Sequence, residues 1–162
     1  MKLYHGSTTI VGQPQILISD HCLDFGYGFY TTTNVEQAIR WANIKKQRVQ
    51  SANACLNSYE IEDTVFSNKS FRLLEFKEPD REWLEFIINN RRGKALHDYD
   101  IVKGAVANDS LYQSLALYEA GVLTVEETVV RLKVHHLFDQ ISFHSEGAIQ
   151  KLKFVKSEDV TE

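Results

Sequence analysis

The chain has 162 residues, of which 43% are hydrophobic and 25% are charged, and its formal net charge is −4. This length and apolar content suffice for one well-buried core, so we expect a single domain over residues 1–162. The negative charge argues against a broad nucleic-acid-binding surface. The two short basic clusters, at residues 45–48 and 91–94, are typical of solvated helix faces.

Two cysteines, Cys22 and Cys55, form neither a disulfide framework nor a paired metal-ligand motif. The N-terminus lacks a signal-peptide pattern, and no stretch approaches the ~18 consecutive apolar residues of a membrane span. We therefore expect a soluble, cytoplasmic protein that does not engage membranes. The histidine spacing predicts no metal site, and His21 beside Cys22 would face the opposite way on an extended chain.

The first half of the chain predicts short strands around one amphipathic helix. Asn34, followed three positions later by Gln37, is a helix start signal, and apolar residues then recur at helical spacing to about Val49. Runs rich in apolar, β-branched or aromatic residues predict strands at residues 2–5, 15–19, 29–33, 54–61 and 70–76.

The second half reads as more helical. Asp80 is placed to cap a helix ending near residue 90, and residues 98–109 begin like a strand that loses its periodicity at Gly104. Two capping-box patterns, Ser110 with Gln113 and Thr124 with Glu127, predict two helices in series, with a helix stop at Gly121. Residues 137–144 predict a strand, residues 145–152 a short capped helix, and residues 154–155 a last strand. The elements do not alternate as regular βαβ units, so the class is α+β.

Two short motifs near the start predict a nucleotide cleft. In Leu3-Tyr4-His5-Gly6-Ser7 an imidazole stands beside a glycine whose backbone a planar ligand can approach. In residues 24–32 an aromatic ring follows two glycines at the start of a strand. Together with Asp139-Gln140-Ile141-Ser142-Phe143-His144, these motifs resemble the three strand motifs of the ADP-ribosyltransferase superfamily, in its His-Tyr-Glu branch. The chain most resembles an uncharacterised, toxin-like bacterial family placed there.

The resemblance implies two small, mostly antiparallel sheets that form an NAD cleft, flanked by helices. His5 would hydrogen-bond the hydroxyls of the adenosine ribose, and Gly6 would offer its backbone N–H and C=O to the nicotinamide carboxamide. Ser7 would add a hydroxyl contact to the same amide. Tyr30 would stack on the nicotinamide ring, and Tyr27 is a second aromatic residue for the cleft.

The third motif departs from the family pattern, because Gln140 stands where the catalytic Glu is expected. A Gln amide can orient a ribose 2′-hydroxyl, but it places no negative charge near an oxocarbenium-like transition state. Asp139, Glu146 and Asp109 are neighbouring carboxylates. Asp139 would face away from Gln140 on a strand, and Glu146 lies at a helix start.

The resemblance implies a mono-ADP-ribosyltransferase that cleaves NAD and modifies a macromolecular target, with His5, Tyr30 and Gln140 as the catalytic residues. Related genes are often organised as toxin and antitoxin, which implies a small cognate antitoxin as a partner. Two alternatives stay open: an NAD glycohydrolase on the same fold, and a non-catalytic module that binds a nucleotide or a partner.

Overall fold

The computed structural model of the chain describes residues 1–18, 23–93, 97–106, 109–133 and 138–160. Its strands are β1 (Lys2–Ser7), β2 (Phe29–Thr31), β3 (Cys55–Glu60), β4 (Leu73–Glu75), β5 (Ile101–Ala105), β6 (Asp139–Phe143) and β7 (Lys153–Asp159). Its α-helices are α1 (Val35–Val49), α2 (Arg81–Arg91), α3 (Asp109–Glu119), α4 (Val125–Lys133) and α5 (Glu146–Ile149), and a 3-10 helix covers Asp63–Ser67.

The strands form two sheets, and the α+β class is confirmed. The three-stranded sheet has the order β1-β3-β7 and is antiparallel. The four-stranded sheet has the order β2-β6-β5-β4, in which only β4 and β5 run parallel. A bridge between Tyr4 and Thr32 joins β1 to the end of β2, so the two sheets meet at this point.

Each face of the four-stranded sheet covers its own core cluster. Paired residues of neighbouring strands share a face, so Phe29 of β2, Phe143 of β6 and Ile101 of β5 lie together. They pack with residues of the three-stranded sheet, such as Leu3, and fill the space between the sheets. On the opposite face, Val102 of β5 packs against apolar residues of α2, α3 and α4.

Helix α1 forms where the sequence predicts it. The side chain of Asn34 accepts a hydrogen bond from the backbone N–H of Gln37 at 2.8 Å, and the helix ends at Gln50 in the left-handed conformation. Its small residues Ala38 and Ala42 allow it to approach β1 very closely. A Cβ at Gly6 would stand 2.0 Å from the carbonyl oxygen of Ala38, so only glycine fits there.

The structure corrects the predicted strand over residues 15–19. Its described part makes a single bridge, between Leu17 and Gly28, and Leu17 and Ile18 are 62% and 82% exposed. Ile16 packs against the core between the sheets, but the described part of the run has no partner strand beyond this bridge, so its composition does not translate into a strand.

Four predicted strands differ clearly in their bounds from those in the structure. Strand β1 continues through Gly6, and β5 continues through Gly104, which pairs with Gln140. Glycine interrupts the side-chain pattern in both places but leaves the ladder intact. The strand predicted over residues 70–76 is reduced to Leu73–Glu75, and the last strand is longer than predicted, Lys153–Asp159.

The helices of the second half follow their start signals. Asp80 accepts from the backbone N–H of Trp83 at 2.9 Å, and Ser145 caps α5. Thr124 and Glu127 make both bonds of the predicted capping box, at 2.8 and 3.2 Å. The side chains of Asp109 and Ser110, and the predicted roles of His21, Cys22, His135 and His136, lie outside what the structure describes.

Within the described ranges, none of the helices is long and apolar enough to cross a membrane. In the same residues, no group of three or more His, Cys, Asp or Glu side chains is arranged to hold a metal ion.

Candidate functional site

The first two motifs meet at the fork where the sheets separate. Met1 and Ile61 exchange both backbone hydrogen bonds across β1 and β3, and Tyr4 and Thr32 exchange both across β1 and β2. Hydrogen-bonding direction alternates along a strand. Odd-numbered residues of β1 therefore bond to β3, whereas the N–H and C=O of Gly6 point toward β2.

His5 occupies this fork. Its Nδ1 donates to the backbone oxygen of Tyr30 at 2.7 Å, and its ring packs on Phe29 with ring centres 4.5 Å apart. Burial, aided by the positive charge of Lys45, lowers the pKa of His5 to about 3. The imidazole is therefore neutral at pH 7, and with the proton on Nδ1, its Nε2 is a hydrogen-bond acceptor.

The backbone N–H and C=O of Gly6 face the fork. If the ladder between β1 and β2 continued past Tyr4 and Thr32, Gly6 would pair with Tyr30. Instead, the Tyr30 carbonyl accepts a hydrogen bond from the imidazole of His5. The Gly6 backbone edge therefore adjoins the His5 imidazole at the point where the ladder between β1 and β2 stops. Next to it, the hydroxyl of Ser7 accepts from the N–H of Thr9 at 3.4 Å and is otherwise buried.

Three side chains hold the glycine loop, residues 24–28, which precedes β2. Tyr30 donates its hydroxyl to the carbonyl of Gly26 at 2.5 Å and accepts from the N–H of Phe25. His97 donates from Nε2 to the carbonyl of Phe25 at 2.7 Å, and His144 donates from Nδ1 to that of Tyr27 at 2.6 Å. Three consecutive carbonyls of the loop are thus fixed by side chains from three separate parts of the chain.

The His144 ring also makes close contacts with Ser142 and Gly28. Burial lowers the pKa of His144 to about 4, so its Nε2 accepts from the hydroxyl of Ser142 at 2.7 Å. A Cβ at Gly28 would stand 2.8 Å from the His144 ring, which explains the second glycine of the motif. Sequence reasoning missed His97 and His144 as loop-binding residues, because their partners are backbone carbonyls distant in sequence.

Gln140 lies at the start of β6, with 5% of its surface exposed, and its Nε2 has no hydrogen-bond partner in the described chain. It lines an open cavity of about 720 Å³. Asp139 faces the other side of the strand, as predicted. Its carboxylate is engaged by the hydroxyls of Thr32 and Thr33 at 3.0 and 2.8 Å and by the N–H of Thr33.

The structure brings some of the predicted site residues together and leaves others apart. His5 contacts the main chain of Tyr30, but the two rings lie on different sides of β2, against Phe29 and Phe25 respectively. By register, the Tyr30 and Gln140 side chains share the helix-covered face of the sheet. The cavity at Gln140 is not lined by His5 or Tyr30. Tyr27, 37% exposed, lies in the loop, and Glu146 lies in the first turn of α5.

The fold and the fork define an α+β protein of two mostly antiparallel sheets, with a histidine and the backbone edge of a glycine where the sheets part. The model of the DUF3990 family, described as a protein of unknown function, matches residues 1–154, and the chain belongs to this family. No significant match was found among curated proteins or among solved structures.

Proposed function

We propose that the chain is an NAD-consuming mono-ADP-ribosyltransferase whose substrate binds at the fork between β1 and β2. The observation that carries the proposal is the backbone edge of Gly6, whose N–H and C=O face the fork beside the neutral imidazole of His5. A carboxamide, like that of nicotinamide, has one acceptor and one donor at the spacing needed to pair with such a backbone edge. Few other small groups satisfy both.

The residues present fit a dinucleotide substrate. Because Nε2 of His5 is an acceptor, it suits a ribose hydroxyl, which donates. Ser7 stands beside the Gly6 peptide and would add a hydroxyl contact. The Tyr30 hydroxyl is engaged by the loop, so the proposal uses only the ring of Tyr30 for stacking, with Tyr27 as the second aromatic residue.

Gln140 has the position of the expected catalytic acid in this proposal. Its unpartnered Nε2 can donate to a ribose hydroxyl, which would orient the substrate, but the amide supplies no negative charge. The neighbouring Asp139 carboxylate already accepts bonds from two threonines. The replacement of the expected Glu by Gln140, beside an Asp139 carboxylate that is already bound, favours a second candidate function, a nucleotide-binding module without catalysis.

The test is nicotinamide release from NAD by the purified protein, with and without bacterial lysate, followed by intact-mass analysis. Release that is lost in His5→Ala and Gln140→Leu, with folded variants, would support an NAD-consuming enzyme. The matched control is Gln37→Leu, since Gln37 is also a buried glutamine with an unpartnered side-chain atom, but lies in α1. A mass increment on a lysate component identifies a transferase, and release without an increment identifies an NAD glycohydrolase.

Tight NAD binding without release, by contrast, would favour the binding module. Neither binding nor release by the folded protein would refute all three functions.

We also propose, from the resemblance, that the activity is toxic in the cell and that a small cognate antitoxin neutralises it. Induced expression in bacteria should slow growth, and His5→Ala should relieve this effect at equal protein level. Normal growth in cells with confirmed NAD turnover by the protein would contradict the toxin role.

A further inference from the structure

The cavity at Gln140 lies at an edge of the four-stranded sheet where ligand sites are common. It opens at the carboxyl ends of the parallel strands β4 and β5, beside the start of β6. Such strand ends, where the chain turns into a helix, are the usual binding crevice of parallel pairs. The volume of about 720 Å³ is within the range of small-molecule sites.

About half of the residues that line this cavity are apolar, and two of these are aromatic. Phe76 and Pro79 follow β4, Leu132 comes from α4, and Phe138 precedes β6. Aromatic and proline side chains present flat surfaces, and flat ligand rings pack on them with favourable geometry. The shape and composition therefore suit a planar ring.

The charged groups of the lining are largely matched. Lys103 forms an ion pair with Glu75 at 2.8 Å, and the Asp139 carboxylate is bound by Thr32 and Thr33. Lys77 and Glu78, adjacent at the exposed rim, have opposite charges. No excess of positive charge is left for a phosphate group.

The lining includes a buried hydrogen-bond donor, Nε2 of Gln140, that has no partner among the residues that the structure describes. A buried donor without a partner costs free energy, and a ligand acceptor that reaches it would recover that cost. Only 5% of the Gln140 surface is exposed, so a hydrogen bond from its amide to a ligand would be shielded from water.

We propose that this cavity binds an uncharged planar heterocycle of the nucleobase class, which offers a ring nitrogen or carbonyl oxygen to the amide of Gln140. Binding requires no cleavage of NAD, so the proposal goes beyond the function proposed above and does not stand or fall with it. A nucleoside binds better than its monophosphate, because the side chains of the lining carry no excess of positive charge to compensate the phosphate.

The test is calorimetric titration of the full chain with adenosine, uridine and adenosine monophosphate, in the absence of NAD. We expect saturable nucleoside binding that Gln140→Leu weakens about tenfold, as the loss of a buried hydrogen bond does. Phe138→Leu should weaken it as well, because a flat wall is lost. The matched control Gln37→Leu should bind like the wild type.

His5→Gln separates this cavity from the fork, because an adenosine bound at the fork would depend on His5. Binding unaffected by His5→Gln and reduced by Gln140→Leu supports the cavity. Binding reduced by His5→Gln but not by Gln140→Leu overturns it, as does the absence of saturable nucleoside binding to the folded wild type. Tighter binding of the monophosphate than of the nucleoside would also overturn it. Gln140→Leu is used in both tests, so nucleoside binding by His5→Gln, measured apart from NAD consumption, distinguishes a failure of this proposal from a failure of the proposed function.

Discussion

The two buried neutral histidines predict that the fold loses stability in mild acid. The pKa of His5 is lowered to about 3 and that of His144 to about 4, in both cases mainly by burial. In the unfolded chain both would titrate near the ordinary value of about 6.5. Below that pH the unfolded state binds protons that the folded state does not bind, so the free energy of unfolding falls as the pH falls.

The groups facing each ring determine the size of the effect. Lys45 lowers the pKa of His5, and the bond to Tyr30 opposes it. For His144, the bond to Tyr27 and the charge of Asp100 oppose burial, while His97 adds to it. From pH 7 to 5.5, a histidine that is protonated only when unfolded costs about 1.2 kcal/mol, so the two together cost about 2.5 kcal/mol.

The assay is urea denaturation followed by tryptophan fluorescence, at pH 7 and 5.5, of the wild type, His5→Asn and His144→Asn. Comparing the two pH values within each variant cancels the pH-independent cost of the substitution. Each variant should lose about 1.2 kcal/mol less than the wild type between the two pH values, since carboxylates titrate mostly below this window. If the pH-dependent loss were the same in all three proteins, the neutral-histidine interpretation would be refuted.

Three further predictions concern the packing of the fork and the loop. Gly6→Ala should destabilise the fold by about 3 kcal/mol or more in urea denaturation, because its Cβ would meet the main chain of α1. The control is Gly12→Ala, which should change the stability little, because the nearest atom to its Cβ is 4.0 Å away. Arg91→Leu should lower the free energy of unfolding by about 3–5 kcal/mol in the same assay, because it removes the 2.8 Å ion pair of the buried Asp24 carboxylate. A loss under about 1 kcal/mol would contradict this. Tyr30→Phe should cost about 1–3 kcal/mol and speed amide hydrogen exchange in the loop; unchanged exchange would mean that the hydroxyl does not hold it.

Local signals in the sequence predicted much of the fold correctly. The caps at Asn34, Asp80 and Thr124 act through bonds within three residues, so the helix starts are readable without tertiary information. The apolar run at residues 15–19 failed because burial, which no local pattern contains, decides whether such a run becomes a strand. Gly6 and Gly104 were read as interruptions, yet ladder bonds come from the backbone and tolerate glycine.

The site was readable only in part. The sequence assigned His5 and Tyr30 to one cleft through their side chains, whereas the contact in the structure joins the His5 imidazole to the backbone oxygen of Tyr30. The histidines that fix the loop, His97 and His144, stand more than 70 residues from their partners, at separations of 72 and 117. Such long-range bonds to main-chain carbonyls depend on the folded path of the chain and leave no spacing pattern in the sequence.

Gly6 serves the fold and the proposed site through different parts of the same residue. The missing Cβ admits α1, because any side chain would collide with the backbone of Ala38. The peptide groups lie in the plane of the sheet, perpendicular to the Cβ direction, and face the fork. A glycine required by packing therefore does not argue against ligand binding at the same position. The two roles separate experimentally, since disruption of packing lowers stability, whereas loss of a bound carboxamide alone would change affinity for NAD without changing stability.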